Sequence, residues 1–156
     1  MAKFKMGVLV GTDVITARLG AGSGSANYVD DKEIGKLVKL VGDSQYNLCA
    51  AGDQIEGQIA AVETYTADDF SIGSVQPDGR IRVTLDGLQA TPGTGAIALG
   101  DYVVCGTVVA KGTSLAGAYP KVCKATTQTG MYFAWRVVSL DGTTAVGQTA
   151  LIERVS

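Results

Sequence analysis

The stretch Asp78–Gly79–Arg80–Ile81–Arg82–Val83–Thr84–Leu85–Asp86–Gly87 constrains this chain more than any other. Ile81, Val83 and Leu85 alternate with Arg80, Arg82 and Thr84, and successive side chains of an extended backbone point to opposite faces. The pattern predicts a half-buried β-strand with Ile81, Val83 and Leu85 in the core. The arginine face is then at solvent or at a protein interface. Asp-Gly at both ends supplies residues that tolerate the backbone of a tight turn. No part of the chain repeats apolar residues at helical spacing over three turns. About a dozen short β-prone runs follow one another instead, punctuated by glycine and aspartate, which predicts an all-β fold. The expected architecture is a compact β-barrel or β-sandwich of short antiparallel strands with an N-terminal arm.

A chain of 156 residues buries enough surface to fold without a metal or disulfide staple. Residues 1–27 read as the arm or a first hairpin, because Gly20–Asn27 has the composition of a flexible Gly/Ser linker. Residues 28–156 read as the barrel or sandwich domain. Asp30–Glu33 is polar enough to start one helical turn, and strands follow from Ile34, Tyr46 and Ile55. Gly57 inside the third of these suggests a bulge or a close backbone approach. Ser71–Gln76 and Arg80–Leu85 read as a hairpin across Pro77–Asp78–Gly79, since proline pre-sets φ at the first turn position and glycine accepts positive φ. Gln89–Gly95 reads as a linker between two similar halves. The halves show one internal echo: Ala51–Gly52–Asp53–Gln54–Ile55–Glu56–Gly57 against Leu99–Gly100–Asp101–Tyr102–Val103–Val104–Cys105–Gly106. A pseudo-duplicated barrel and coincidence both account for it.

The chain has no histidine, which removes Ser-His and Cys-His pairs and most catalytic zinc sites. Gly20–Ser25 fails both the dinucleotide and the lysine-bearing phosphate-loop patterns, and no serine sits in a nucleophile elbow. Adjacent aspartates such as Asp30–Asp31 and Asp68–Asp69 point apart on an extended chain. The expectation is therefore no enzyme: no catalytic residues, no cofactor and no metal. Cys49, Cys105 and Cys123 are odd in number and far apart, and they read as buried free thiols. The net charge is −2, so direct nucleic-acid binding is not expected. No apolar run is long enough for a membrane span or a signal-peptide core, and neither a membrane nor secretion is expected. Charged residues are only 18% of the chain, which suggests that part of its surface is covered by a partner.

The order of short motifs resembles tailed-phage head decoration proteins, also called capsid cement proteins. The motifs are Ile34–Gly35–Lys36–Leu37–Val38–Lys39–Leu40, Ala51–Ile59, Gly79–Gly87, Ile97–Val103 and Trp135–Arg136–Val137–Val138–Ser139–Leu140. They span roughly residues 34–155; the N-terminal segment and residues 107–132 depart from the pattern. The resemblance implies a virion protein on the capsid exterior, assembled in the host cytoplasm. Its implied partner is the major capsid protein, whose neighbouring subunits it clamps as a homotrimer. In that reading the arm touches the shell or a neighbour through Phe4, Met6, Val8, Leu9 and Val10, adding a strand to a sheet edge. The alternatives are another virion part, such as a tail or head-fibre base, or a small β-barrel ligand-binding module.

Overall fold

The computed structural model describes residues 14–20, 29–63, 71–87, 95–126 and 133–155. Among them run ten strands in two five-stranded sheets. The first sheet holds β1 (Ile15–Leu19), β2 (Leu37–Gly42), β3 (Gln45–Leu48), β4 (Gly57–Glu63) and β5 (Ser71–Gln76), closed as a barrel in the order β1-β3-β2-β4-β5. The second holds β6 (Arg80–Leu85), β7 (Val103–Cys105), β8 (Lys121–Lys124), β9 (Trp135–Leu140) and β10 (Thr149–Arg154), ordered β7-β8-β6-β10-β9. The protein is all-β. A single 3-10 turn, Asp31–Glu33, is the helical turn expected near Asp30; the Asp30 side chain accepts from the Lys32 N–H and Glu33 reaches back to the Asp30 N–H, a capping box. No described helix is long and apolar enough to cross a membrane.

The two sheets are the same sheet twice. β1 runs parallel to β3 and antiparallel to β5; β6 runs parallel to β8 and antiparallel to β10. β2–β3 and β4–β5 are antiparallel pairs, as are β7–β8 and β9–β10. The barrel closes through β2–β4, where Leu37 faces Gln58. The corresponding seam in the second half is the antiparallel bridge Tyr102–Arg136. Beside each seam, a left-handed glycine donates to the facing strand: Gly35 to the Ile59 carbonyl at 2.9 Å, Gly100 to the Val137 carbonyl at 2.8 Å. Even the β-bulge recurs. Ile59 pairs with Val75 and Ala61 with Ser74, skipping Ala60; Val137 pairs with Ile152 and Ser139 with Leu151, skipping Val138. A shared strand order is a loose likeness, but a shared register with a shared bulge identifies equivalent residues one by one.

Each half has its own core. Ala17, Leu19, Val38, Ile59 and Val75 fill the first; Ile81, Val83, Leu85, Val122, Trp135 and Ile152 belong to the second. Leu37 and Val38 are successive and enter different cores, so β2 joins the halves by strand alternation alone. Gly57 and Gly73 stand where the second half has Trp135 and Ala150. A Cβ on Gly57 would lie 2.6 Å from the Gln76 carbonyl oxygen, and one on Gly73 would lie 2.2 Å from that of Ala61. Both contacts lie between the paired strands β4 and β5, which leave no room for a side chain at either glycine, and Gly57 marks the close approach anticipated for it.

Four expectations need correction. Residues 15–19 are no arm: β1 is flanked by β3 and β5 and completes the barrel. The remaining residues of the 1–27 segment, apart from 14 and 20, lie outside the described residues. Ser71–Gln76 and Arg80–Leu85 are no hairpin: β5 and β6 belong to different sheets, and the turn with Gly79 at φ 75° carries the chain from one half to the other. The halves therefore divide at residues 77–79 rather than at 89–95. The strands are not all antiparallel, since each half contains one parallel pair. Finally, the β-prone run Thr107–Val109, which the sequence predicts as a strand, forms none.

The internal echo has a different meaning from the one its sequence suggested. By register, Leu99–Gly100–Asp101–Tyr102–Val103 corresponds to Ile34–Gly35–Lys36–Leu37–Val38, not to Ala51–Gly57. What the quoted segments share is a turn used twice. Asp53 accepts from the Ala50 N–H at 2.7 Å and Asp101 from the Ala98 N–H at 2.8 Å, with Gly52 and Gly100 both left-handed. Each aspartate also meets a lysine, Lys39 or Lys124. Desolvation raises the Asp101 pKa, but the Ala98 N–H and the Lys124 ammonium together outweigh it and hold the carboxyl below its usual range. A depressed folded-state pKa stabilises the fold above the unfolded value, about 3.9, and that contribution disappears as pH falls through the folded value. Asp101→Asn is therefore expected to make thermal stability less dependent on pH in acid, below about pH 4. Melting temperatures of both proteins across that range check it; parallel curves refute it.

Candidate functional site: a cavity between the two halves

The strongest departure from the repeat is a connection. β2 turns into β3 through residues 43–44, whereas β7 reaches the equivalent β8 through residues 106–120. This long loop folds back over the first barrel and roofs a half-open cavity of about 300 Å³. Leu37, Leu48 and Cys49 form its floor, and Val109, Leu115 and Pro120 contribute from the loop.

Buried polar groups hold the loop in place. Glu33 is fully buried; its Oε1 accepts from the Gly112 N–H at 2.6 Å and from Lys36 Nζ at 3.3 Å. Its Oε2 accepts from the Asp30 N–H at 3.1 Å. Lys36, itself buried, also donates to the Ala110 carbonyl at 3.0 Å. At the start of the loop, buried Asp86 accepts from the Thr107 N–H at 2.6 Å. The cost of burying these polar groups is offset because their lone pairs and protons have partners. The side chain of Arg82 lies 5.8 Å from the centre of the Tyr119 ring and pairs with Asp141.

Cys49 and Cys105 both line the cavity. A hydrogen bond with Cys105 and burial push the Cys49 thiol far above its ordinary range, so Cys49 stays a protonated thiol rather than a nucleophilic thiolate. All three cysteines are free and buried. Among the described residues no group of three His, Cys, Asp or Glu side chains could hold a metal ion.

The residues singled out in the sequence lie elsewhere. Phe4, Met6, Val8, Leu9 and Val10 fall outside the described residues. Ile81, Val83 and Leu85 are buried in the second core, and Arg80 and Arg82 of the same strand pair with Glu153 and Asp141 at the surface. The cavity residues escaped notice because loop 106–120 has no periodicity. Glu33 escaped because a polar residue in a polar run gives no hint that a loop 79 positions away will cover it. Comparison with protein-family models, curated proteins and solved structures finds no match.

Proposed function

We propose that this protein is a non-catalytic virion protein that binds the outer surface of a tailed-phage capsid and stabilises contacts between major capsid subunits. The observation that carries the reading is an exposed apolar surface held rigid by buried charges. Val108, Val109 and Tyr119 are exposed on a loop that Glu33, Lys36 and Asp86 pin to the body. All three line one cavity, and apolar side chains gathered in one exposed patch mark an interaction site. The motif order of decoration proteins supports the same reading. So does the duplicated barrel, a rigid scaffold with no evident catalytic constellation among its described residues. A modest interface per copy suffices where many copies bind, or where copies are joined as a homotrimer, because linked sites multiply affinity.

The test is co-sedimentation of purified protein with expanded and unexpanded capsids of the encoding phage. Saturable binding to expanded shells is expected; binding to neither form overturns the proposal. The contribution of Phe4, Met6, Val8, Leu9 and Val10 is read from a variant lacking residues 2–10. A longer truncation would remove β1 and so test folding instead. If the arm is a clamp, this variant melts like the full chain and loses shell binding; unchanged binding excludes the arm.

A further inference from the structure

We infer that the mouth of the cavity under residues 106–120 is the face that grips the partner, and that it takes an apolar segment carrying acidic side chains. Granted the capsid reading above, on which this naming of the partner rests, the segment belongs to the major capsid protein.

The size of the occupant follows from exposure. A small molecule held in a cavity of about 300 Å³ is enclosed by its walls. Here the walls themselves remain open: Val108 is 46% exposed, Tyr119 43% and Val109 36%. Whatever covers these side chains extends beyond the cavity, as a protein segment does and a small ligand does not.

The charge of the occupant follows from the lining. Lys36, Lys111 and Lys121 line the cavity, and no Asp or Glu does. Glu33 answers Lys36, and Asp30 feels the charge of Lys111. Lys121 is exposed and registers beside Thr84; Arg82, two residues away on that strand, is answered by Asp141, so Lys121 carries the local positive charge. The mouth is thus locally cationic on a chain whose net charge is −2. Complementary potential selects an acidic partner and repels a basic one. The face is also built before binding, since the hydrogen bonds to Ala110 and Gly112 fix the loop in the free chain, and little ordering is left to oppose association.

Val109→Asp and Lys121→Glu test the face, with Leu40→Asp on β2 as an exposed apolar control outside the cavity lining. All three variants should melt like the parent. Val109→Asp and Lys121→Glu should each weaken binding to expanded shells about ten-fold or more, while Leu40→Asp binds as the parent does. Two fluorescein-labelled peptides, alternating Leu-Asp and alternating Leu-Lys, probe the face without shells. The acidic peptide should bind saturably at low salt and lose affinity in both face variants. Parent-like shell binding by both face variants overturns the inference while leaving the capsid reading intact. Equal affinity for the two peptides also overturns it. If the parent ignores shells but prefers the acidic peptide, the capsid reading fails and the face stands. A drop in the solution mass of the free protein on Val109→Asp would assign the face to a second copy of this chain and sink the proposal.

Discussion

Val83→Asp is expected to leave the second half unfolded at room temperature. Val83 is completely buried at the middle of β6, opposite Ala150 of β10 and packed in the core that also holds Ile81, Leu85 and Trp135. Removing the valine forfeits about 1.5–3 kcal/mol of apolar burial. Placing a carboxylate there without a partner adds several kcal/mol more, or forces it to protonate at a comparable cost. Domains of this size are stable by about 5–15 kcal/mol, so the sum consumes most or all of the margin. Because Leu37, Cys49 and Ile55 of the first half also belong to this core, the damage should spread across the boundary. Circular dichroism and thermal melting check it: the variant should show no cooperative transition. Arg82→Ala, one residue away on the opposite face, should cost no more than about 1 kcal/mol. A Val83→Asp protein that melts like the parent would mean that β6 does not lie in the core.

How far the sequence speaks depends on the range of the interaction. Alternation is local, so β6, β9 and most other strands are visible as patterns, and the all-β class follows. Turn chemistry is local too: the left-handed glycines Gly52, Gly79 and Gly100 all stand where Gly-Asp or Asp-Gly pairs suggest turns. Partnership between strands is not local. Pro77–Asp78–Gly79 would serve a hairpin or a crossing between sheets equally well, and only the pairing of β5 with β1 and of β6 with β10 decides. β1 is short and stands before a linker-like segment, and its place in the barrel depends on partners that lie beyond that segment. The duplication hides for a related reason. Register and bulge repeat while side chains do not: Gly57 faces Trp135 across the equivalence, and Leu40 faces Cys105. Backbone geometry repeats where residue identity does not, and the one turn that looks repeated in sequence lies at non-equivalent positions.

The candidate site lies at the far end of that scale, since it is made by a loop of one half resting on a turn of the other. Glu33→Ala removes the group that joins them. The variant leaves Lys36 buried beside the space of its former counter-ion and strips the Gly112 N–H of its acceptor. It also breaks the capping box at Asp30. Breaking a buried ion pair from one side costs about 3–5 kcal/mol, because the surviving charge keeps its desolvation penalty. Glu33→Gln should cost less, since its amide oxygen can still accept from Gly112, but Lys36 remains without a carboxylate. Two measurements separate the consequences. Urea denaturation should show a loss of about 3–5 kcal/mol for the alanine variant. Hydrogen exchange at Gly112 should accelerate in the alanine variant relative to core amides such as Val83, because the loop opens before the barrel does, and less in the glutamine variant, which keeps an acceptor. The double variant Glu33→Met, Lys36→Met should recover much of the lost stability, as well-packed apolar pairs replace buried ion pairs at little or no cost. It should not recover the slow exchange at Gly112, whose acceptor is still missing. Unchanged exchange in Glu33→Ala would show that the loop is held by its own turns and that the buried carboxylate does not set the shape of the cavity.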